Sequence, residues 1–404
     1  MERRDALITG VVLGLMFAAI ATLIVMARSD ETDRLAFDPD VSSTPDDPTT
    51  DEPTPDDPAP DGGEFDAFVD EAIVFVEETR GGRFLTRPIV VTLGESDFVA
   101  RVTSDLAADF AEAPDEVEVF NATYRALALI GPDERIDEVY GRFGEAGILG
   151  FYDPTTDELV VRQRDELSLL TKSTIVHELT HAWDDQHFDL DRPEYDDRTD
   201  EIGWGFIAVA EGSATWVEAE WEATLDSADR GALLQEELGF SDPGIIDEFT
   251  LAFLLLELSP YEYGEPFVTQ LVESGGITAL DTALTEPPVT SEQVMSPDRY
   301  DTQEGPIDIP APPADGEVLY SGLGGDVVIE SILAGTGVVR DFEWGGDQLV
   351  VWTADGQSCI RWDIQAEDGS TASVRSAFET WGSRVGDVEV SEVDSRTVRI
   401  DRCV

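Results

Sequence analysis

Every histidine of the chain lies within one stretch of seventeen residues, STIVHELTHAWDDQHFD, which spans residues 173–189. If this stretch is helical, His177 and His181 are four residues apart and project from the same face. The opposite face is then apolar and is predicted to pack against a core. That face consists of Ile175, Val176, Leu179, Ala182 and Trp183. The sequence therefore predicts an amphipathic helix that presents two imidazoles on its polar side.

The pentapeptide HELTH, residues 177–181, has the HExxH pattern that places two imidazole ligands on Zn²⁺. Glu178 stands beside the first histidine, where a carboxylate can reach a water on a bound metal. Glu178 is therefore predicted to be a general base and not a ligand. The same pattern also occurs in ordinary amphipathic helices, so the prediction of a metal site depends on a third ligand.

Two residues compete for the role of third ligand. His187 follows His177 at the spacing of the metzincin motif HExxHxxGxxH, but Asp184 replaces the glycine at which that motif turns. Glu211, in FIAVAEGSATW, lies 30 residues after His181 (211 − 181 = 30), in a second predicted helix. Two histidines and one glutamate form a common catalytic zinc site that leaves a fourth position for water.

HELTH followed by a helical AEGSAT resembles the gluzincins, specifically the peptidases whose third ligand is the glutamate of an EGxA segment. GILGFYDPTTDELVVR, PYEYGEPFV, EPPVTSEQV and WGGDQLVVW also resemble segments of a family of prokaryotic membrane-anchored or lipoprotein metallopeptidase-like proteins. The resemblance covers roughly residues 65–385. It implies a zincin-like fold, one Zn²⁺ per chain, Glu211 as the third ligand and His187 outside the ligand set.

The chain departs from the fuller gluzincin pattern at one position. Some members have an aspartate four residues after the ligand glutamate that orients a histidine, and this chain has Thr215 there. Asp184 and Asp185 are possible partners for the distal histidine nitrogens, but a solvated helix end is the preferred interpretation of both residues. Tyr261 and Tyr263 are candidates for a phenol that stabilises an oxyanion, with Tyr263 preferred of the two, but packing in an aromatic core is the favoured interpretation of both.

The N-terminal segment MERRDALITGVVLGLMFAAIATLIVMARSD predicts a membrane anchor within residues 1–28. Residues 6–27 are uncharged and apolar, about the ~20 residues that a helix needs to cross a bilayer. A cleaved signal peptide, with an apolar core of ~7–15 residues, is the alternative. Arg3 and Arg4 precede the span, so the positive-inside rule places the N-terminus in the cytoplasm and the remainder outside. Residues 29–63, rich in proline and acids, predict a disordered linker.

The charge and the cysteines restrict the partners and the compartment. With 87 Asp and Glu against 25 Lys and Arg, the net charge of −62 weighs against nucleic acid, whose binding depends on neutralising phosphates. Cys359 and Cys403 are the two cysteines of the chain. An even pair in an extracytoplasmic domain predicts a disulfide; two buried free thiols are the alternative.

The remaining sequence predicts an α+β fold in two parts. Residues 64–310 are expected to form the zincin-like domain, with a small mixed sheet, a β-hairpin and helices. Helices are predicted over 95–112 and 114–130 and over about 199–225, followed by shorter helices to about 286. Residues 311–404, after the proline-rich IDIPAPPADG, are expected to form a small α+β module.

Together these features favour a membrane-anchored, extracellular zinc metallopeptidase that cleaves peptide or protein substrates with Glu178 as the base. A non-catalytic surface protein that keeps a zincin fold for binding is one alternative. The presence of His177, Glu178, His181 and Glu211 weighs against it. A metal-dependent hydrolase of a non-peptide substrate is the other alternative, and the sequence does not distinguish it.

Overall fold

Most helices and strands begin and end close to the positions that hydrophobic periodicity predicts. The structure is a computed structural model, and it describes residues 62–163, 167–195, 200–240 and 248–404. Within these ranges the chain forms helices and two small sheets, which confirms the α+β class. The predicted membrane anchor and nearly all of the acidic linker lie outside the described residues.

From residue 62, where the described part of the chain begins, four helices precede the first β-hairpin. They are α1 (Gly62–Arg80), α2 (Glu95–Glu112), α3 (Pro114–Ala126) and α4 (Ile136–Gly147). The buried residues Phe98, Val102, Leu106 and Phe110 recur every fourth position of α2, so one stripe of this helix faces the core. Helix α3 ends earlier than predicted, because Ala128 adopts a left-handed conformation with φ of 59°.

The first sheet has three strands in the order β1-β3-β2. They are β1 (Ile89–Leu93), β2 (Gly150–Asp153) and β3 (Glu158–Arg162). Strand β3 pairs parallel with β1 and antiparallel with β2, which confirms the predicted hairpin. Asp153 closes the turn, because its carboxylate accepts hydrogen bonds from the backbone N–H of Thr155 and the hydroxyl of Thr156. Strand β2 lies at the sheet edge.

Long helices build the layer beside this sheet. They are α5 (Leu169–Phe188), α6 (Glu201–Thr224), α7 (Ser227–Phe240) and α8 (Leu251–Gly275), with a 3₁₀ turn at Pro193–Tyr195. The side chains of Ser168, Asp200 and Thr250 cap α5, α6 and α8 by accepting a backbone N–H of the first turn. Helix α6 packs against both α5 and α8, and α5 also packs against β2.

Helix α8 is longer than the sequence predicts, because it continues through Pro260 and Pro266. A proline inside a helix removes the N–H that would bond the carbonyl four residues earlier. At Pro260 that carbonyl belongs to Leu256, and the hydroxyl of Ser259 donates a hydrogen bond to it at 2.6 Å. This side-chain donor replaces the missing backbone bond. Three shorter helices follow, namely α9 (Ile277–Thr285), α10 (Ser291–Met295) and α11 (Pro297–Thr302).

Helices α6 and α8 cross at a pair of glycines. A Cβ on Gly212 would overlap the backbone carbonyl of Gly264, and a Cβ on Gly264 would overlap the carbonyl of Ala208. Only residues without a side chain allow the two backbones to approach this closely. The crossing lies immediately beside Glu211, so it fixes the position of that residue relative to α8.

The C-terminal part contains a five-stranded antiparallel sheet in the order β4-β5-β6-β8-β7. Its elements are β4 (Glu317–Gly322), α12 (Asp326–Gly335), β5 (Trp344–Ala354), β6 (Gln357–Ala366), α13 (Thr371–Val385), β7 (Val388–Glu392) and β8 (Val398–Cys403). Cys359 on β6 lies opposite Cys403 on β8, and the two form a disulfide. Strand β4 and helix α12 were not among the predicted elements.

The C-terminal sheet shares its core with the helices before it. One cluster of buried hydrophobic residues extends from Phe98 on α2 through Phe253 on α8 to Trp362 on β6. Arg402 on β8 also donates hydrogen bonds to the carbonyls of Arg125 and Ala126 at the end of α3. The two parts therefore bury apolar surface against each other.

No helix within the described ranges has both the length and the apolarity that crossing a bilayer requires.

Candidate metal centre

Helices α5 and α6 bring three side chains of ligating type together. His177 and His181 lie one turn apart on α5, and Glu211 lies on α6. The Nε2 atoms of the two histidines are 3.0 Å apart, and each lies 3.3 Å from Oε2 of Glu211. The predicted apolar back of α5, formed by Ile175, Val176, Leu179, Ala182 and Trp183, packs into a buried cluster. The amphipathic pattern therefore turns both imidazoles toward α6.

The three ligand atoms fit a single metal ion. Nitrogen and oxygen ligands lie about 2.0–2.2 Å from a tetrahedral Zn²⁺, so neighbouring ligand atoms are roughly 3.3–3.6 Å apart. The observed separations of 3.0–3.3 Å are at or just below this range. Oε1 of Glu211 is buried and has no hydrogen-bond partner in the described part of the chain. His177, His181 and Glu211 thus form a buried group that could hold a metal ion.

The electrostatics of the group match those of a cation site. Burial alone would lower the pKa of His177, but its hydrogen bonds to Glu211 and Glu218 outweigh burial and raise the pKa to about 10. Burial alone would raise the pKa of Glu211, but the charges and hydrogen bonds of His181 and His177 lower it to about 2. The carboxylate is therefore ionised, and it stabilises positive charge between the imidazoles. Metal ligands of these types bind in their deprotonated forms, so a metal ion would displace the proton of His177.

Glu178 lies beside the group without joining it. It is fully buried, and neither carboxylate oxygen has a hydrogen-bond partner of acceptable geometry within the described residues. Its pKa is raised to about 8, mainly by burial and further by the charge of Glu211, while His177 and the backbone N–H of Tyr152 act in the opposite direction. Gly150 brings the start of β2 against this residue, because a Cβ there would lie 3.7 Å from Cγ of Glu178. An unpaired buried carboxyl group is costly and calls for a functional explanation.

Glu218 contacts the distal nitrogen of His177, and the sequence analysis did not identify it. Oε2 of Glu218 lies 3.0 Å from Nδ1 of His177, and the hydroxyl of Ser173 lies 2.7 Å from Oε1 of Glu218. The same hydroxyl lies 2.7 Å from Oε1 of Glu222. Glu218 follows Glu211 by seven residues, two helical turns, so both lie on one face of α6. This seven-residue spacing is the sequence signal that identifies Glu218, whereas the gluzincin pattern points to position 215.

Ser173 sits between two carboxyl groups but has one hydrogen to donate. One of its two 2.7 Å contacts therefore needs a proton on the carboxyl side. Burial raises the pKa of Glu222 to about 7, and the negative charge of Glu218 contributes to the increase. The raised pKa of Glu222 favours placing this proton on Glu222.

Asp184 and Asp185 do not contact the histidine nitrogens. Asp184 is fully buried rather than at a solvated helix end, because it forms an ion pair with Arg80 at 2.7 Å and accepts the hydroxyl hydrogen of Ser213. Asp185 accepts a hydrogen bond from the phenol of Tyr152 at 2.7 Å. Nδ1 of His181 has no hydrogen-bond partner in the parts of the chain that are described.

His187 lies apart from the group. Its Nδ1 lies 2.8 Å from the carbonyl oxygen of Trp183, and its ring stacks on the indole with centroids 3.8 Å apart. Helix α5 continues to Phe188, so the chain does not turn at Asp184 as the metzincin alternative requires. The structure therefore brings Glu211, and not His187, to the histidine pair.

Of the two tyrosine candidates, Tyr261 lies next to the centre. Its ring stacks against that of His177 with centroids 6.3 Å apart, and it is 8% exposed. Tyr263 is two positions further along α8, about 200° around the helix, so it points away from that side. It packs against the large core cluster and interacts electrostatically with Arg340. The preferred phenol therefore changes from Tyr263 to Tyr261.

Comparisons with protein-family models, with curated proteins and with solved structures found no match to this chain. The resemblance to the gluzincins remains an expectation from the sequence motifs.

Proposed function

We propose that the chain is a zinc-dependent hydrolase of peptide bonds. The observation that carries this proposal is the fully buried carboxyl group of Glu178, which adjoins the group of His177, His181 and Glu211 and has no hydrogen bond of good geometry within the described ranges. A purely structural metal site does not need a buried carboxyl group that is not itself a ligand. A catalytic site needs a base at this position.

Zn²⁺ is the metal that the donor set favours. Two imidazole nitrogens and one carboxylate are ligands of catalytic zinc sites, whereas Mg²⁺ and Ca²⁺ prefer oxygen ligands alone. When bound, Zn²⁺ would act as a Lewis acid and make a water easier to deprotonate. His177, His181 and Glu211 would hold the ion between α5 and α6.

The other side chains have separate roles in the proposed reaction. Glu178 takes a proton from the attacking water and passes it to the nitrogen of the leaving amine, so that the peptide C–N bond breaks and a C–O bond forms. The ring of Tyr261 stacks against that of His177, which makes its phenol the candidate donor to the oxygen of the tetrahedral intermediate.

The purified full-length protein is expected to bind one zinc ion and to cleave peptides. A mixture of peptides with varied sequences would be incubated with the zinc-loaded protein, and the products identified by mass spectrometry. Cleavage should stop on removal of zinc by a chelator and return when zinc is added. A zinc-loaded protein that cleaves no peptide would contradict the assignment and favour a non-peptide substrate or a structural metal.

Complete burial favours a second function, a structural metal centre in a non-catalytic surface protein. His177, Glu178 and His181 are 0% exposed and Glu211 is 1% exposed, and structural zinc sites are closed to solvent. A structural centre predicts that zinc removal lowers the melting temperature while no peptide is cleaved. The peptidase instead requires that residues around the centre move apart to admit substrate.

We further propose that the N-terminal segment anchors the protein and places the metal centre outside the cell. The disulfide between Cys359 and Cys403 supports this location, because disulfides persist in oxidising compartments. Mass spectrometry of the native membrane fraction should find peptides from residues 1–28 attached to the chain. A new N-terminus at Arg28 would instead show that the segment is a cleaved signal peptide.

A further inference from the structure

We propose that Glu218 is a positioning residue for the metal centre, and that Ser173 and Glu222 hold Glu218 in place. This inference rests on the proposed metal-binding function. It concerns how His177 is oriented and does not depend on which bond the protein cleaves.

The imidazole of His177 is held at both of its nitrogens by the same helix. Nε2 lies 3.3 Å from Oε2 of Glu211, and Nδ1 lies 3.0 Å from Oε2 of Glu218. The 3.0 Å contact places a carboxylate oxygen within hydrogen-bond distance of Nδ1, the arrangement in which a ligating histidine donates its distal N–H to a carboxylate. Once a metal ion displaces the other proton of His177, Nε2 is the nitrogen whose lone pair binds the ion, while Nδ1 keeps its hydrogen toward Glu218.

Glu218 is itself fixed by its surroundings. Its second oxygen, Oε1, is 2.7 Å from the hydroxyl of Ser173, which also lies 2.7 Å from Glu222. Ser173 is four residues before His177, so it stands one turn earlier on the same face of α5. The side chain of Glu218 is 13% exposed, which limits competition from water for these contacts. The two helices are therefore joined by a continuous chain of hydrogen bonds beside the metal ligands.

Glu218 contacts the distal nitrogen of His177. The corresponding nitrogen of His181, Nδ1, has no hydrogen-bond partner within the described ranges. Among the carboxylates around the two histidines, Glu218 is thus the residue on which the orientation of the imidazoles mainly depends. The loss of an outer-shell partner of this kind typically weakens metal affinity or activity by about 10–100-fold. We expect a loss of that size when the carboxylate is removed.

The first test measures zinc affinity of the full-length protein by competition with a chelator. Glu218→Ala should weaken Zn²⁺ binding by about 10–100-fold, and Glu218→Gln should weaken it less, because its amide oxygen can still accept from Nδ1. Glu220→Gln is the matched control, since it removes the same charge from an exposed position of the same helix. Its affinity should stay well within about tenfold of the wild-type value, the lower limit of the effect expected from losing an outer-shell partner. Affinities of both Glu218 variants within that margin would overturn the proposal.

The second test observes the histidine rings directly and does not require zinc binding or catalysis. The chain has three histidines, so labelling them with ¹⁵N gives a simple nuclear magnetic resonance spectrum of ring nitrogens. Wild-type protein should show a slowly exchanging N–H at Nδ1 of His177, and Glu218→Ala should lose it. An unchanged signal in Glu218→Ala would overturn the proposed contact.

If Glu218→Ala does not fold, the isosteric Glu218→Gln variant should shift this resonance. If the wild-type protein binds no zinc, the metal function fails while this spectrum still decides the contact.

Discussion

Glu178→Gln is expected to lower kcat/KM for peptide hydrolysis by about 10²–10⁴-fold, the usual contribution of a general base, while zinc stays bound. The amide fills the same volume but cannot take a proton from water. Glu178 does not belong to the group of ligand atoms, so its charge is not needed to hold the ion. The measurement is steady-state hydrolysis of a cleaved peptide, combined with elemental analysis of the same sample.

The control for this experiment is Glu220→Gln, which makes the same chemical change at an exposed site. Its rate and zinc content should equal those of the wild-type protein. Near-normal turnover in Glu178→Gln would assign the base to another residue. Loss of zinc from that variant would show that Glu178 is a ligand, and the proposed division of roles would then fail.

Glu211→Ala is expected to reduce zinc affinity by more than the 10–100-fold that follows loss of an outer partner, because it removes a group that contacts the ion. The ionised carboxylate also stabilises positive charge between His177 and His181, so its loss leaves the pair without that compensation. Zinc content and chelator competition would be measured on samples shown to be folded by circular dichroism. Glu211→Gln keeps the side-chain volume and serves if the alanine variant is unstable.

The companion variant is His187→Ala, which tests the metzincin alternative. The imidazole stacks on Trp183 and lies near its carbonyl, so its removal should reduce stability slightly and leave zinc bound. If His187→Ala lost the metal while Glu211→Ala kept it, the third ligand would be His187. The proposed ligand set of His177, His181 and Glu211 would then be wrong.

The local parts of the fold and site were predictable because short-range rules decide them. The spacing of His177 and His181 within HELTH fixes their common helix face, whatever surrounds the helix. The apolar residues on the opposite face of this helix predicted burial, and they pack into a hydrophobic cluster. The hairpin was equally local, because a turn sequence containing Asp153 separates two strand-like runs.

The parts that the sequence did not predict depend on contacts between distant residues. The length of helix α8 depends on the hydroxyl of Ser259, which compensates for Pro260. The choice between Tyr261 and Tyr263 depends on which side of α8 meets α6, and the glycine crossing decides that. Asp184 was expected at a solvated helix end, but Arg80 from a helix about a hundred residues earlier covers it. Such pairings have no signature in the local sequence.

X-ray absorption at the zinc edge of the zinc-loaded, full-length protein tests the central claim most directly. The account predicts one zinc per chain with only nitrogen and oxygen neighbours at about 2.0–2.2 Å, including two imidazoles from His177 and His181. A spectrum that required a third imidazole or a sulfur ligand, or a protein that failed to bind stoichiometric zinc, would contradict it.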